Sequence, residues 1–223
     1  MRRKPSPYHS LKAIFIKDML TELRNRFGLS TLSMFAVMTL SSISISISGE
    51  ALSELLAAAL LWVVLFFSAM SGLARVFIQE QDANTLLTLR IYALSQAVLF
   101  GKLLFNVSLL IGLSVLIVPL FLIFFEVEIQ AWGWFATVLL LGIIGMAIIT
   151  TMTAAISSQS RSRTSLLTIL TFPILLPQFL CAISATAHVF SGSAPDSQLI
   201  IFLLGYDIVA AFAVSMLFDY LWY

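Results

Sequence analysis

Six long apolar intervals divide the chain: Phe27–Gly49, Leu55–Ala74, Leu103–Phe125, Ile129–Ser160, Thr164–Pro195 and Ser197–Phe218. Only the last contains a charged side chain, Asp207. A bilayer core needs about 20 apolar residues per helix, so each interval predicts one crossing, the fourth ending near Ile156. The fifth exceeds one crossing and leaves room for a short outer-surface or re-entrant segment. In the first interval "SSISISIS" alternates like a strand. A lone strand leaves its backbone unpaired in lipid, so the expectation is a helix whose Ser hydroxyls bond back to carbonyls one turn earlier.

Ahead of the first span, "SLKAIFIKDMLTELRNRF" places Leu11, Ile14, Phe15, Met19, Leu20, Leu23 and Phe27 on one helical face. Lys17, Asp18, Thr21, Glu22, Arg24 and Asn25 fall opposite. This predicts an amphipathic helix in the cytoplasmic interface, within an N-terminal segment 1–28 that precedes a six-span domain, 29–223. The basic residues, Pro5 and Pro7 interrupt any signal-peptide apolar region there.

Composition agrees: 60% of residues are hydrophobic and 10% charged, against about a quarter charged in soluble domains. The fold class is an all-α polytopic membrane protein. A net charge of +1 gives no basis for a nucleic-acid partner. The single cysteine, Cys181, excludes an intrachain disulfide.

The distribution of charge orients the chain. Seven of the 12 basic residues precede the first span, Arg75, Arg90 and Lys102 lie between the second and third, and Arg161 and Arg163 between the fourth and fifth. The alternate loops, Gly49–Glu54, Glu126–Gln130 and His188–Ser197, carry none. The positive-inside rule places both termini in the cytoplasm. Trp132 and Trp134 suit an outer interfacial belt, and Tyr220, Trp222 and Tyr223 an inner one.

The cytoplasmic stretch "ARVFIQEQDANTLLTLR", taken together with the residues up to Lys102, is too long for a tight turn. Asp82 or Asn84 can cap a helix starting near Thr85. Leu86, Leu89 and Ala93 then share a face, with Leu87, Ile91, Leu94 and Val98 beside it. The segment 75–102 is expected to lie across the ends of the spans, tied down by Arg75 and Lys102.

Signs of catalysis are missing. "LFGK" lacks the first Gly and the hydroxyl of a phosphate-binding loop, and no Cys/His cluster suits a metal. Ser191 and Ser193 near His188 lack a protease signature. The polar exception at membrane depth is Asp207, a costly position that defaults to function, the alternative being a protonated, hydrogen-bonded acid. Pro173 and Pro177 predict a kink in the fifth span, and Gly142 and Gly145 allow close packing in the fourth.

Two stretches carry a resemblance. "IFIKDMLTELRNRFGLSTLSMF" supplies Lys17, Asp18, Glu22, Leu23, Arg24 and Arg26; the run from Leu60 to Asn106 supplies an Arg-bearing span exit, an acid-bearing Asn-Thr-Leu element (Glu80 and Asp82 before Asn84, Thr85 and Leu86) and a Gly-Lys. They resemble the haem exporter protein B family (CcmB), membrane subunit of the cytochrome c maturation ABC transporter. Two departures stand out: Asn84 replaces the family's Gly, a substitution that tolerates positive φ, and "IYALSQAVLF" lacks its Pro turn.

The resemblance implies a six-helix ABC-2-type permease in the bacterial inner membrane, without its own ATPase motif. ATP would bind a separate cytoplasmic ABC ATPase, and Gln79–Leu89 would be the coupling helix in its groove. Glu80, Asp82 and Arg90 would make polar contacts there and Leu86 and Leu87 apolar ones, with Arg75, Gln79, Asn84 and Thr85 completing the element. Arg161 and Arg163 would touch the ATPase or lipid headgroups. A homodimer, membrane lipid and other cytochrome c maturation membrane proteins are the implied partners. No cofactor is expected to be bound; haem would be cargo, since His188 is a lone candidate ligand. Haem export and release of a haem-loaded chaperone both fit. An ABC-2 exporter of lipid, glycan or drug, or a non-transporting scaffold for the ATPase complex, are the alternatives.

Overall fold

A computed structural model of the chain describes residues 7–24, 26–47, 52–73, 94–158 and 163–222. Within them the fold is all helix: α1 (Pro7–Arg24), α2 (Arg26–Ile47), α3 (Glu54–Leu73), α4 (Ser95–Phe125), α5 (Trp132–Ser158), α6 (Arg163–Phe190) and α7 (Ser197–Trp222). Five of these, α2, α4, α5, α6 and α7, are long and apolar enough to cross a membrane, and α3 contributes a shorter apolar stretch, Glu54–Met70.

The alternating serines are helical, as lipid requires. Ser41 and Ser46 donate to the carbonyls of Val37 and Ser42 one turn earlier, both at 2.7 Å. Ser44 instead reaches across to the Phe124 carbonyl of α4 at 3.1 Å.

The fifth apolar interval is one continuous helix to Phe190, with Pro173 and Pro177 inside it, not a helix followed by a re-entrant piece. Its end has a local cause. Gly192 adopts φ +78°, and the amides of Ser193 and Gly192 fold back onto the carbonyls of His188 (2.9 Å) and Val189 (3.1 Å). This is the Schellman arrangement. The hydroxyls of Ser191 and Ser193 also donate to the His188 carbonyl, so both serines serve the helix terminus.

α5 is the centre of the bundle: 67% of its apolar span is buried within the protein, against 17% for α2 and 22% for α7. It packs against α3, α4, α6 and α7. Lipid tails are as apolar as Leu, so helix association in a membrane rests on close packing and hydrogen bonds. Gly142 supplies the first: a Cβ there would lie 2.0 Å from the buried Trp62 ring of α3. The same indole donates to Thr186 of α6 at 2.9 Å. Buried hydroxyl and amide pairs add to the helix contacts, Asn106 with Thr151 (α4–α5) and Thr153 with Thr171 (α5–α6), both at 2.7 Å.

α1 forms where expected but packs differently. Its buried face is Ser10, Ile14, Asp18 and Glu22, one residue per turn, whereas Leu20 and Leu23 stay exposed. The packed face draws on both expected sides: Ile14 and the partly buried Phe15 and Met19 from the apolar one, Asp18 and Glu22 from the polar one, while Lys17, Thr21 and Arg24 stay exposed. It lies against α4. The reason is Gly101: its bare backbone lets α1 approach until a Cβ would sit 3.0 Å from Ile14 and 3.2 Å from the Leu11 carbonyl.

Candidate functional site

The residues expected to form the ATPase contact (Arg75, Gln79, Glu80, Asp82, Asn84, Thr85, Leu86, Leu87 and Arg90) lie outside the described residues, as does Arg161. Their flanks are described: α3 leads into the segment and α4 leads out of it. The last part of the expected 75–102 loop, from Ser95, is the beginning of α4. That helix has 31 residues, or about 46 Å at ~1.5 Å per residue, well beyond the ~30 Å hydrocarbon core.

Two clamps fix the start of α4. Its N-cap, Leu94, has an extended backbone and no side-chain cap. Asp219 of α7 meets that helix end instead: the Ser95 hydroxyl donates to Oδ1, and Gln96 Nε2 donates to Oδ2 at 3.0 Å. Gln96 also donates to the Ser215 carbonyl (3.3 Å) and accepts from its hydroxyl (3.2 Å). A carboxylate beside a helix N-terminus offsets the positive end of the macrodipole, worth about 0.3–1 kcal/mol.

The second clamp lies two turns on. Lys102 is fully buried (0% exposed), and its Nζ is 3.4 Å from Oδ2 of the buried Asp18 of α1. Lys17 approaches the other Asp18 oxygen at 3.0 Å from a half-exposed position. Lys102 is therefore not the loop cation that its position near a span boundary suggested. It is an interior charge, and it ties α1 to α4.

At membrane depth, Asp207 of α7 faces Gln178 of α6. Gln178 Nε2 donates to Asp207 Oδ1 at 2.9 Å and to the Leu141 carbonyl of α5 at 3.3 Å. Both residues are buried, and the space they occupy is the one left by Gly145, where a Cβ would fall 1.8 Å from Nε2 and 2.3 Å from Oδ1. Next to it, the Tyr206 hydroxyl donates to the Ile174 carbonyl. Sequence reading singled out Asp207 but not Gln178, nor Asp219, Gln96 and Asn106. For Gln178, Gln96 and Asn106, an amide inside an otherwise apolar run was the available signal.

At the opposite end of the bundle a cavity of about 580 Å³ opens between α2, α3 and the α4–α5 connection. Glu54, Glu126 and Glu128 line it with Phe124, Phe125 and Phe190, and no basic side chain does among the described residues. Its charge is the reverse of the Lys-bearing end, in keeping with the uneven distribution of basic residues in the sequence. His188 is exposed near this end.

The family model described as CcmB protein matches residues 9–218. The match starts in α1 and ends one residue short of Asp219, spanning both clamps' helices and the whole bundle. The chain belongs to the CcmB family. No individual curated protein matches it. CcmB membership makes the chain a multi-pass membrane permease subunit for haem transport in cytochrome c biogenesis, working with an ABC ATPase and other maturation proteins, rather than a catalytic subunit.

Proposed function

We propose that this CcmB-family subunit couples ATP hydrolysis on a separate ATPase to a haem-handling step of cytochrome c maturation: export of haem, or release of a haem-loaded chaperone. It would act as one of two copies, because a pair of ATPase subunits needs two coupling elements. Six spans, α2 to α7, with both termini in the cytoplasm agree with the charge distribution and with the acid-lined cavity at the far end. α1 would lie at the inner interface, its exposed Ile16, Leu20 and Leu23 available to lipid.

The observation that carries the reading is the double clamp at the start of α4. Gln79–Leu89, seated in an ATPase groove through Glu80, Asp82, Arg90, Leu86 and Leu87, joins α3 to α4. A displacement of that element as the ATPase closes is a displacement of Ser95–Lys102. Those residues are bonded to α7 through Asp219 and to α1 through Asp18. The push would thus move α1, α4 and α7 together. Haem is the cargo in this reading and not a resident cofactor.

Glu80→Lys and Leu86→Asp test the contact. In lipid with the ATPase subunit, each variant is expected to insert normally yet lose the change in ATP turnover that the wild-type subunit causes. Removing a charged or anchoring interface contact costs about 2–5 kcal/mol of binding, more than tenfold in affinity. Unaltered ATP turnover and unaltered haem attachment in both variants would remove this element from the coupling path.

A further inference from the structure

We propose that Asp207 holds a proton on Oδ2, and that its carboxylic acid and the Gln178 amide form a cyclic pair of two hydrogen bonds joining α7 to α6. The observation is a matched pair of orphans. Gln178 Nε2 donates to Asp207 Oδ1, while Asp207 Oδ2 and Gln178 Oε1 are buried without a hydrogen-bond partner among the described residues. The two orphans sit on the two partners of one hydrogen bond, and with the carboxyl ionised both are acceptors. One proton on Oδ2 turns that oxygen into a donor toward Oε1 and satisfies both at once.

Turning the amide over does not solve the problem. Oε1 would then face Asp207 Oδ1 and the Leu141 carbonyl, the two acceptors that now share the protons of Nε2. The amide orientation is therefore fixed by its neighbours, and the missing hydrogen belongs to the acid.

Among the described residues no cation competes for the carboxyl. α5 carries no charged side chain along its length, and those of α6, Arg163 and His188, are at its two ends. The single charged residue of α4, Lys102, is committed to Asp18. Asp219, the other acid of α7, is three turns away and holds Ser95 and Gln96. The neighbouring Tyr206 hydroxyl is spent on the Ile174 carbonyl. An ionised carboxylate without a counter-charge at this depth costs far more than a neutral acid with two hydrogen bonds. The proton comes from water: an O–H bond of hydronium breaks, Oδ2–H forms, and water leaves. Separation of α6 from α7 during a working cycle then requires both groups to find new partners or the proton to depart.

The test uses the full chain in lipid nanodiscs at neutral pH, with infrared spectroscopy and thermal unfolding. The wild type is expected to show a protonated-carboxyl C=O band that Asp207→Asn removes. Asp207→Asn is also expected to keep wild-type stability, because the Asn carbonyl accepts from Nε2 and its NH₂ donates to Oε1. Asp207→Leu leaves the amide unmatched and is expected to lower the folded-to-unfolded ratio roughly tenfold, the scale of one buried polar group left unpaired. A carboxylate signal at residue 207, or equal destabilisation by Asn and Leu, overturns the proposal. So does stabilisation by sodium ions that Asp207→Asn abolishes, which would assign the oxygens to a metal cation. None of these readouts depends on the identity of the cargo.

Discussion

Lys102→Met is expected to destabilise the folded subunit by about 3 kcal/mol, the low end of the cost of breaking a buried ion pair. The ammonium is wholly buried, and its loss leaves the Asp18 carboxylate in the interface between α1 and α4. Lys17, 3.0 Å from the other oxygen, holds the cost to the low end. The double variant Lys102→Met/Asp18→Leu replaces the pair with apolar groups and is expected to recover more than half of the loss, since such replacements are often neutral. Unfolding of the detergent-solubilised protein, followed by tryptophan fluorescence, measures Lys102→Met, Asp18→Leu and the double variant. Simply additive losses in the double variant would show that the two residues do not interact, and the α1–α4 clamp would then fail as an explanation.

Gly142→Ala is expected to cost about 2–3 kcal/mol. Its Cβ would stand 2.0 Å from one Trp62 ring carbon and 2.6 Å from the next, distances no real contact shows. The indole cannot swing aside, because it is 1% exposed, hydrogen-bonded to Thr186 and edge-on to Phe179. Overpacking a filled core costs about 1–3 kcal/mol, and the average interhelical hydrogen bond in a membrane protein adds about 0.6 kcal/mol. Gly112→Ala is the control. A Cβ there meets nothing within 4 Å, and Ala exceeds Gly in helix propensity by up to about 1 kcal/mol, so that variant is expected to be neutral or stabilising. Equal stability of both variants, read by the same unfolding measurement, would mean that α3 does not rest on α5 at this point.

The helices were legible in the sequence because a bilayer leaves few choices. Long apolar runs must be helical, and α2, α4, α5 and α7 begin or end within a few residues of the expected intervals, apart from the N-terminal extension of α4. That extension was hidden because Lys102 reads as a boundary, and a charge is taken for a solvated group until something covers it. What covers it is α1, admitted by Gly101, and neither residue announces the other in sequence. The burial of an acid on α1 was hidden for the same reason: Asp18 looks like the wet side of an amphipathic helix until Lys102 is placed beside it.

Asp207 was visible as an acid in a span, but Gln178 was not visible as its partner. The register between α6 and α7 depends on where α6 ends, and the Schellman closure at Gly192 that sets it involves backbone amides more than side-chain identity. The coupling element is the converse case. Its acidic, Asn-Thr-Leu pattern is read from sequence alone, and the structure contributes the anchored helix that comes after it.

The central claim is that this permease serves cytochrome c maturation, and a haem stain of membrane proteins from cells with and without the gene tests it most directly, with total haem measured in parallel. The expected result is loss of the covalently haem-bearing bands at unchanged total haem, with restoration by the wild-type gene. Undiminished c-type cytochromes in the cells lacking it would contradict the account.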